Sequence, residues 1–172
     1  MKWRPFEYQG ATYNLSHLDP FYWRYTAEAG GKRPECTYKF QVSFSMHCFT
    51  RKALSSETIG DGLWYTGPKE SRVFCVDRYA FSTQLPDIVR SMGERPCWHT
   101  HHGNFFTIEL TTQEERVVEY EIYFDVTKAS RKGWLNLILE SAYERTDAYA
   151  TTQPRNLENE KSVWMLSLTI DR

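Results

Sequence analysis

The segment Pro96-Cys97-Trp98-His99-Thr100-His101-His102-Gly103-Asn104 gathers His99, His101 and His102 in a chain with five histidines and four cysteines in all. If it runs extended, side chains alternate with period two, and Cys97, His99 and His101 share one face while His102 falls opposite. With His47 or Cys48 from an earlier strand, those residues would form a soft donor set for zinc. Known zinc sites pair their ligands across two turns, whereas most of these candidates lie in one segment, and Cys36, Cys48, Cys75 and Cys97 contain no CxxC pair. The plain alternative is a polar connector. The expectation is therefore no cofactor, with zinc on Cys97, His99, His101 and His47 as the exception.

The same side chains suit chemistry without a metal. Metal-independent cleavage of RNA needs a base for the ribose 2′-hydroxyl, an acid for the leaving oxygen and cations for the developing charge. His47, Arg51, His99, His101 and Arg145 supply those types, and Trp64 and Tyr65 are aromatics in a loop-like stretch that could stack bases. A looser pattern is similar to the signature of one class of ADP-ribosyltransferases: Arg51, then Phe81-Ser82-Thr83-Gln84, then Glu119-Tyr120-Glu121. In that reading Arg51 and Ser82 would position the nicotinamide cofactor and Glu121 would stabilise the oxocarbenium-like state. Ser82 as a helix cap, and Glu119 and Glu121 on the wet face of a strand, are the structural counter-readings.

These residues must be positioned by a mostly β scaffold. Aromatics make up 16% of the 172 residues, with eleven Tyr, ten Phe and six Trp, and strands favour such side chains. From 37 to 49, Tyr38, Phe40, Val42, Phe44, Met46 and Cys48 alternate with polar residues, so His47 points away from the core. Residues 6–13 read as a hairpin turning at Gln9-Gly10. Residues 50–70 lose periodicity and read as a long excursion. Arg72-Val73-Phe74-Cys75-Val76 is a short strand with Cys75 in the core. A helix runs from about Thr83 to Met92, capped by Ser82, with Leu85, Ile88, Val89 and Met92 on one stripe. Phe105 to Leu110 is a strand. Val118 to Val126 and Trp134 to Tyr143 form an antiparallel hairpin about a turn at 128–133. Residues 144–161 are polar, and Val163 to Ile170 is a closing strand. The expected fold is α+β: a single domain over 1–172, a mostly antiparallel β-sheet with one main helix packed on it.

The net charge of −1 gives no global field toward phosphate or an anionic membrane, so an RNA contact must be local. No apolar run spans a bilayer and no signal-like segment follows Met1, so the expected location is the cytoplasm, without membrane association. Three blocks, Ser45-Met46-His47-Cys48-Phe49-Thr50-Arg51, Arg78-Tyr79-Ala80-Phe81-Ser82-Thr83-Gln84-Leu85-Pro86 and Glu140-Ser141-Ala142-Tyr143-Glu144-Arg145, resemble small proteins of bacterial mobile elements and prophages. The resemblance implies a context of toxins, defence effectors or counter-defence proteins, and no particular activity. Two functions follow as expectations. One is a small metal-independent endoribonuclease, with His47 paired to His99 or His101 and with Arg51 and Arg145 on phosphate. The other is a non-catalytic module, an inhibitor or adaptor engaging a protein partner or antitoxin, with or without a structural zinc. The near-neutral charge favours the second, since RNA-cleaving proteins show a basic stripe.

Overall fold

Alternating large apolar side chains build a six-stranded sheet whose inner face carries the core. The computed structural model describes residues 1–29, 34–94, 98–100, 103–111 and 115–146. A short hairpin opens the chain, β1 (Phe6–Tyr8) and β2 (Ala11–Tyr13), turning where Gln9 and Gly10 both have positive φ, 50° and 77°, the geometry of a two-residue primed turn. Next come β3 (Phe21–Ala27) and β4 (Cys36–Phe44), then β5 (Thr50–Arg51), β6 (Trp64–Thr66) and β7 (Ser71–Phe74). Two short helices follow, α1 (Val76–Ser82) and α2 (Leu85–Arg90), and then β8 (Trp98–Thr100), β9 (Gly103–Thr111), β10 (Val117–Lys128) and β11 (Leu135–Glu144). The large sheet has the order β3-β4-β11-β10-β9-β8, and a three-stranded sheet has the order β5-β7-β6. Pairing in both is antiparallel except between β4 and β11, which run parallel. This is the α+β architecture expected, with a mostly antiparallel sheet.

The core gathers Phe40, Val42, Phe44, Tyr120, Ile122, Phe124, Leu137 and Leu139 from the sheet and Leu85, Ile88, Val89 and Met92 from the helical segment. The stripe predicted for the helix is thus the buried one. Its boundaries differ: helical structure begins at Val76, and α2 is preceded by Gln84 with no side-chain cap. Ser82 is not a cap. It is buried in the last turn of α1, where its hydroxyl donates to Tyr79 O at 2.7 Å; this back-bonding of serine to the preceding turn competes with capping. The stretch expected as an excursion supplies β5 and β6, which flank β7. Its strands are only two and three residues long, too short for periodicity to reveal. Cys75, expected in the core, is partly exposed just before α1, and Cys48 is the buried thiol among the described residues. Among the described residues no helix is long and apolar enough to cross a membrane. The expected strand at 163–170 lies outside the described residues, as does most of the polar stretch before it.

Candidate functional site

Ser45 ends β4. Its backbone N–H donates to Leu139 O on β11 at 2.8 Å, and its hydroxyl accepts from His47 N–H at 3.3 Å. That cap turns the chain into a single 3-10 turn, Met46–Cys48, instead of continuing the strand. The turn buries Met46 and Cys48 and leaves the His47 side chain 34% exposed. The predicted outward direction of His47 therefore holds, although a cap and a turn produce it. His47 Nε2 lies 2.7 Å from Glu70 Oε1, ahead of β7, and Arg72 approaches the other carboxylate oxygen at 3.5 Å. The hydrogen bond from His47 is the largest cause holding the Glu70 carboxyl below its ordinary value. Arg78 of α1 fixes the turn from beneath by donating to His47 O at 3.1 Å and to Thr50 O at 2.8 Å. The carbon of the same guanidinium lies 5.1 Å from the Tyr143 ring centroid.

Arg51 lies on β5, and both its terminal nitrogens donate to Glu57. This fork of two bonds holds the Glu57 carboxyl down and the Arg51 guanidinium up. Arg51 is thus already bound to an anion. Trp64 is 39% exposed, as expected for a loop-edge aromatic, but Tyr65 is 2% exposed. The correction follows from strand alternation on β6: Tyr65 points inward, its ring edge-on to Phe49 at 4.9 Å and its hydroxyl donating to Arg4 O at 3.1 Å. That ring offers no face to a base.

Arg145 follows β11, with its N–H bonded to Glu119 O at 2.8 Å, and its Nη1 donates to Glu121 Oε1 at 2.7 Å. Glu121 was expected on the wet face of its strand; instead it is 0% exposed, with Arg145 at 9%. Tyr123 completes the arrangement by donating to Glu121 Oε2 at 3.1 Å, and burial raises its phenol above the ordinary value. The β10–β11 register shifts between Tyr123 and Phe124, and the Tyr123 and Tyr143 rings stack at 5.7 Å. A buried carboxylate requires partners of this kind, and alternation alone does not report them.

His99 lies on β8, opposite Asn104, which is opposite Phe124, which is opposite Leu139. Three strand spacings, roughly 14 Å along the sheet, separate it from Leu139, and the turn carrying His47 lies against that residue on the β4 side of β11. The backbone therefore does not bring His99 and His47 together. Cys97, His101 and His102 lie outside the described residues. Among the described residues there is no cluster of three or more His, Cys, Asp or Glu side chains suited to a metal ion.

Three participants escaped the sequence reading. Glu70 belonged to no motif and Arg78 only opened a block of the resemblance with no role of its own, and long-range pairing brings both to His47. His17 lies with Nε2 2.8 Å from Ser82 Oγ, half-buried, and burial lowers its pKa. That contact occupies the serine of the looser pattern, and Ser82 itself is 0% exposed.

The arginines make a general point. Arg51, Arg72, Arg90, Arg116 and Arg145 each reach a carboxylate, Arg78 reaches two carbonyls, and Arg4 and Arg131 lie over aromatic rings. Arg24, exposed on β3, has no such partner among the described residues.

A sequence profile described as the YjaZ family matches residues 5–169. Protein YjaZ of Escherichia coli (strain K12) is 34% identical over 146 residues, covering 83% of this chain and 79% of that protein. No solved structure matches the chain. A profile match over nearly the whole length, together with that relative, shows that the chain belongs to the YjaZ family.

Proposed function

We propose that this protein is a non-catalytic binding module, an inhibitor or adaptor that engages a partner protein through the outer face of its large sheet. One observation carries the reading: the cations assigned to phosphate, Arg51 and Arg145, are already bound to Glu57 and Glu121, and a paired guanidinium has little left for a developing phosphate charge. The outer face at β3 and β4 presents exposed Tyr22, Arg24, Thr26, Lys39 and Gln41. Tyr22 is 66% exposed and its ring meets Trp134 at 5.0 Å. Exposed aromatics with an arginine are the residue types of interface anchors. The resemblance to mobile-element and prophage proteins fits a host or phage protein, or an antitoxin, as the partner in the bacterial cytoplasm. No resident cofactor is part of this reading.

The metal-independent endoribonuclease remains as a second reading because of the 2.7 Å contact between His47 and Glu70. A carboxylate that orients a half-exposed imidazole is the arrangement of a general acid or base. The test is to incubate the purified protein with labelled single-stranded RNA of mixed sequence in chelator, and to compare affinity capture of the tagged wild type with that of a Tyr22→Glu variant. Intact RNA, with a discrete captured protein lost in Tyr22→Glu, supports the binding module. RNA cleavage abolished by His47→Ala would replace it with the nuclease.

A further inference from the structure

The two edges of the large sheet are unlike. β8 has three residues and β3 has seven, Phe21–Ala27, in unbroken register with β4 from end to end. Sheet proteins blunt exposed edges with short strands, prolines, bulges or lysines. β8 is blunted by its length. β3 has neither proline nor lysine, and among the described residues it pairs with β4 alone. Alternate residues of such a strand direct N–H and C=O away from their partner, ready for an added strand.

The side chains on its outer face state what that strand should carry. Tyr22, Arg24 and Thr26 are exposed in alternation, and Arg24 lies directly opposite Lys39. Like charges directly opposite each other are unfavourable, and neither residue has a carboxylate partner among the described residues. Among the described residues five other arginines reach a carboxylate, whereas Arg24 on the longer edge does not. Resting on the protein-binding reading above, we infer that β3 accepts an extended acidic segment of a partner protein as an added strand, with a carboxylate beside Arg24 and Lys39 and an apolar side chain beside Tyr22. A second copy of this chain fits less well: the antiparallel register that pairs all of Phe21–Ala27 with itself sets Arg24 against its own copy.

The probe is a short synthetic peptide in which valine alternates with glutamate, accompanied by a lysine-for-glutamate version and an N-methylated glutamate version. Binding is followed through backbone amide shifts of β3 by NMR and through fluorescence anisotropy. The glutamate peptide should shift the β3 amides, bind Arg24→Glu about five- to tenfold more weakly, and lose binding when N-methylation removes its backbone donors. The lysine peptide should show the reverse preference for Arg24→Glu. Equal binding of the two charges, shifts confined to other strands, or full binding of the N-methylated peptide would overturn the inference. So would a dimer in sedimentation that competes with the peptide for β3. RNA cleavage by the same preparation would overturn the binding-module reading, whereas intact RNA with no shift at β3 would overturn strand addition alone.

Discussion

Two acid–base pairs lie along one chain of contacts and could hardly be less alike. His47 and Glu70 are 2.7 Å apart with side chains 34% and 45% exposed; Glu121 and Arg145 are also 2.7 Å apart but 0% and 9% exposed. Arg78 reaches the backbone of the first pair and the Tyr143 ring, and Tyr143 stacks on Tyr123, which holds Glu121. Distance alone therefore does not tell the two pairs apart. Exposure does: a buried pair loses much when one partner is removed, while a solvated pair contributes little to stability and keeps its chemistry available.

The largest effect expected from this contrast is at the buried pair. Arg145→Met leaves Glu121 buried without its guanidinium, with the Tyr123 hydroxyl still donating to it, and should lower stability by roughly 3–5 kcal/mol in urea denaturation. The double variant with Glu121→Leu should recover most of that loss. A single variant within about 0.5 kcal/mol of the wild type would mean that water reaches Glu121. One residue earlier on the same strand, the Tyr120 hydroxyl is buried without a hydrogen-bond partner among the described residues, and burial keeps its pKa well above the ordinary value. Tyr120→Phe should raise stability by about 1 kcal/mol; a loss of stability would reveal a partner for that hydroxyl.

Smaller effects belong to the solvated side. His47→Ala and Glu70→Gln should each stay within about 0.5 kcal/mol of the wild type in thermal unfolding, and a larger loss would show that the pair is structural after all. The pH windows also differ. His17 has a folded pKa lowered by burial from 6.5, so the unfolded chain binds its proton more readily; its contribution is complete above about pH 6.5 and is lost as pH falls. Glu70 is lowered from 4.5 by the His47 hydrogen bond, so its contribution is complete above about pH 4.5 and is lost as pH falls through the depressed value. Unfolding midpoints of the wild type and His17→Gln between pH 7.5 and 5.5 should converge as pH falls. Parallel curves would remove His17 as the cause.

What could be read from the sequence follows from the range of the forces involved. Alternation on β4 and β10, the hairpin of β10 with β11, the turn at Gln9-Gly10 and the apolar stripe through Leu85 and Val89 are local patterns, and each appears in the fold. Tyr65 and Glu121 were misread because their burial depends on what lies across from them, and one residue's neighbours in sequence do not report that. The outward direction of His47 was legible, but its partner Glu70 is 23 positions away. The expected meeting of His47 with His99 depends on strand order, which periodicity cannot supply: β8 lies at one edge of the sheet and β11 near its middle.

The central claim is that the paired arginines leave this protein to bind rather than to cleave. It is tested most directly by tightly induced expression of the wild type beside His47→Ala in a bacterial host, following growth and total RNA integrity over the first minutes. Intact RNA in both cultures is the predicted result. Fragmented RNA and arrest in the wild type, relieved by His47→Ala, would contradict the account and make the solvated His47–Glu70 pair the centre of a nuclease.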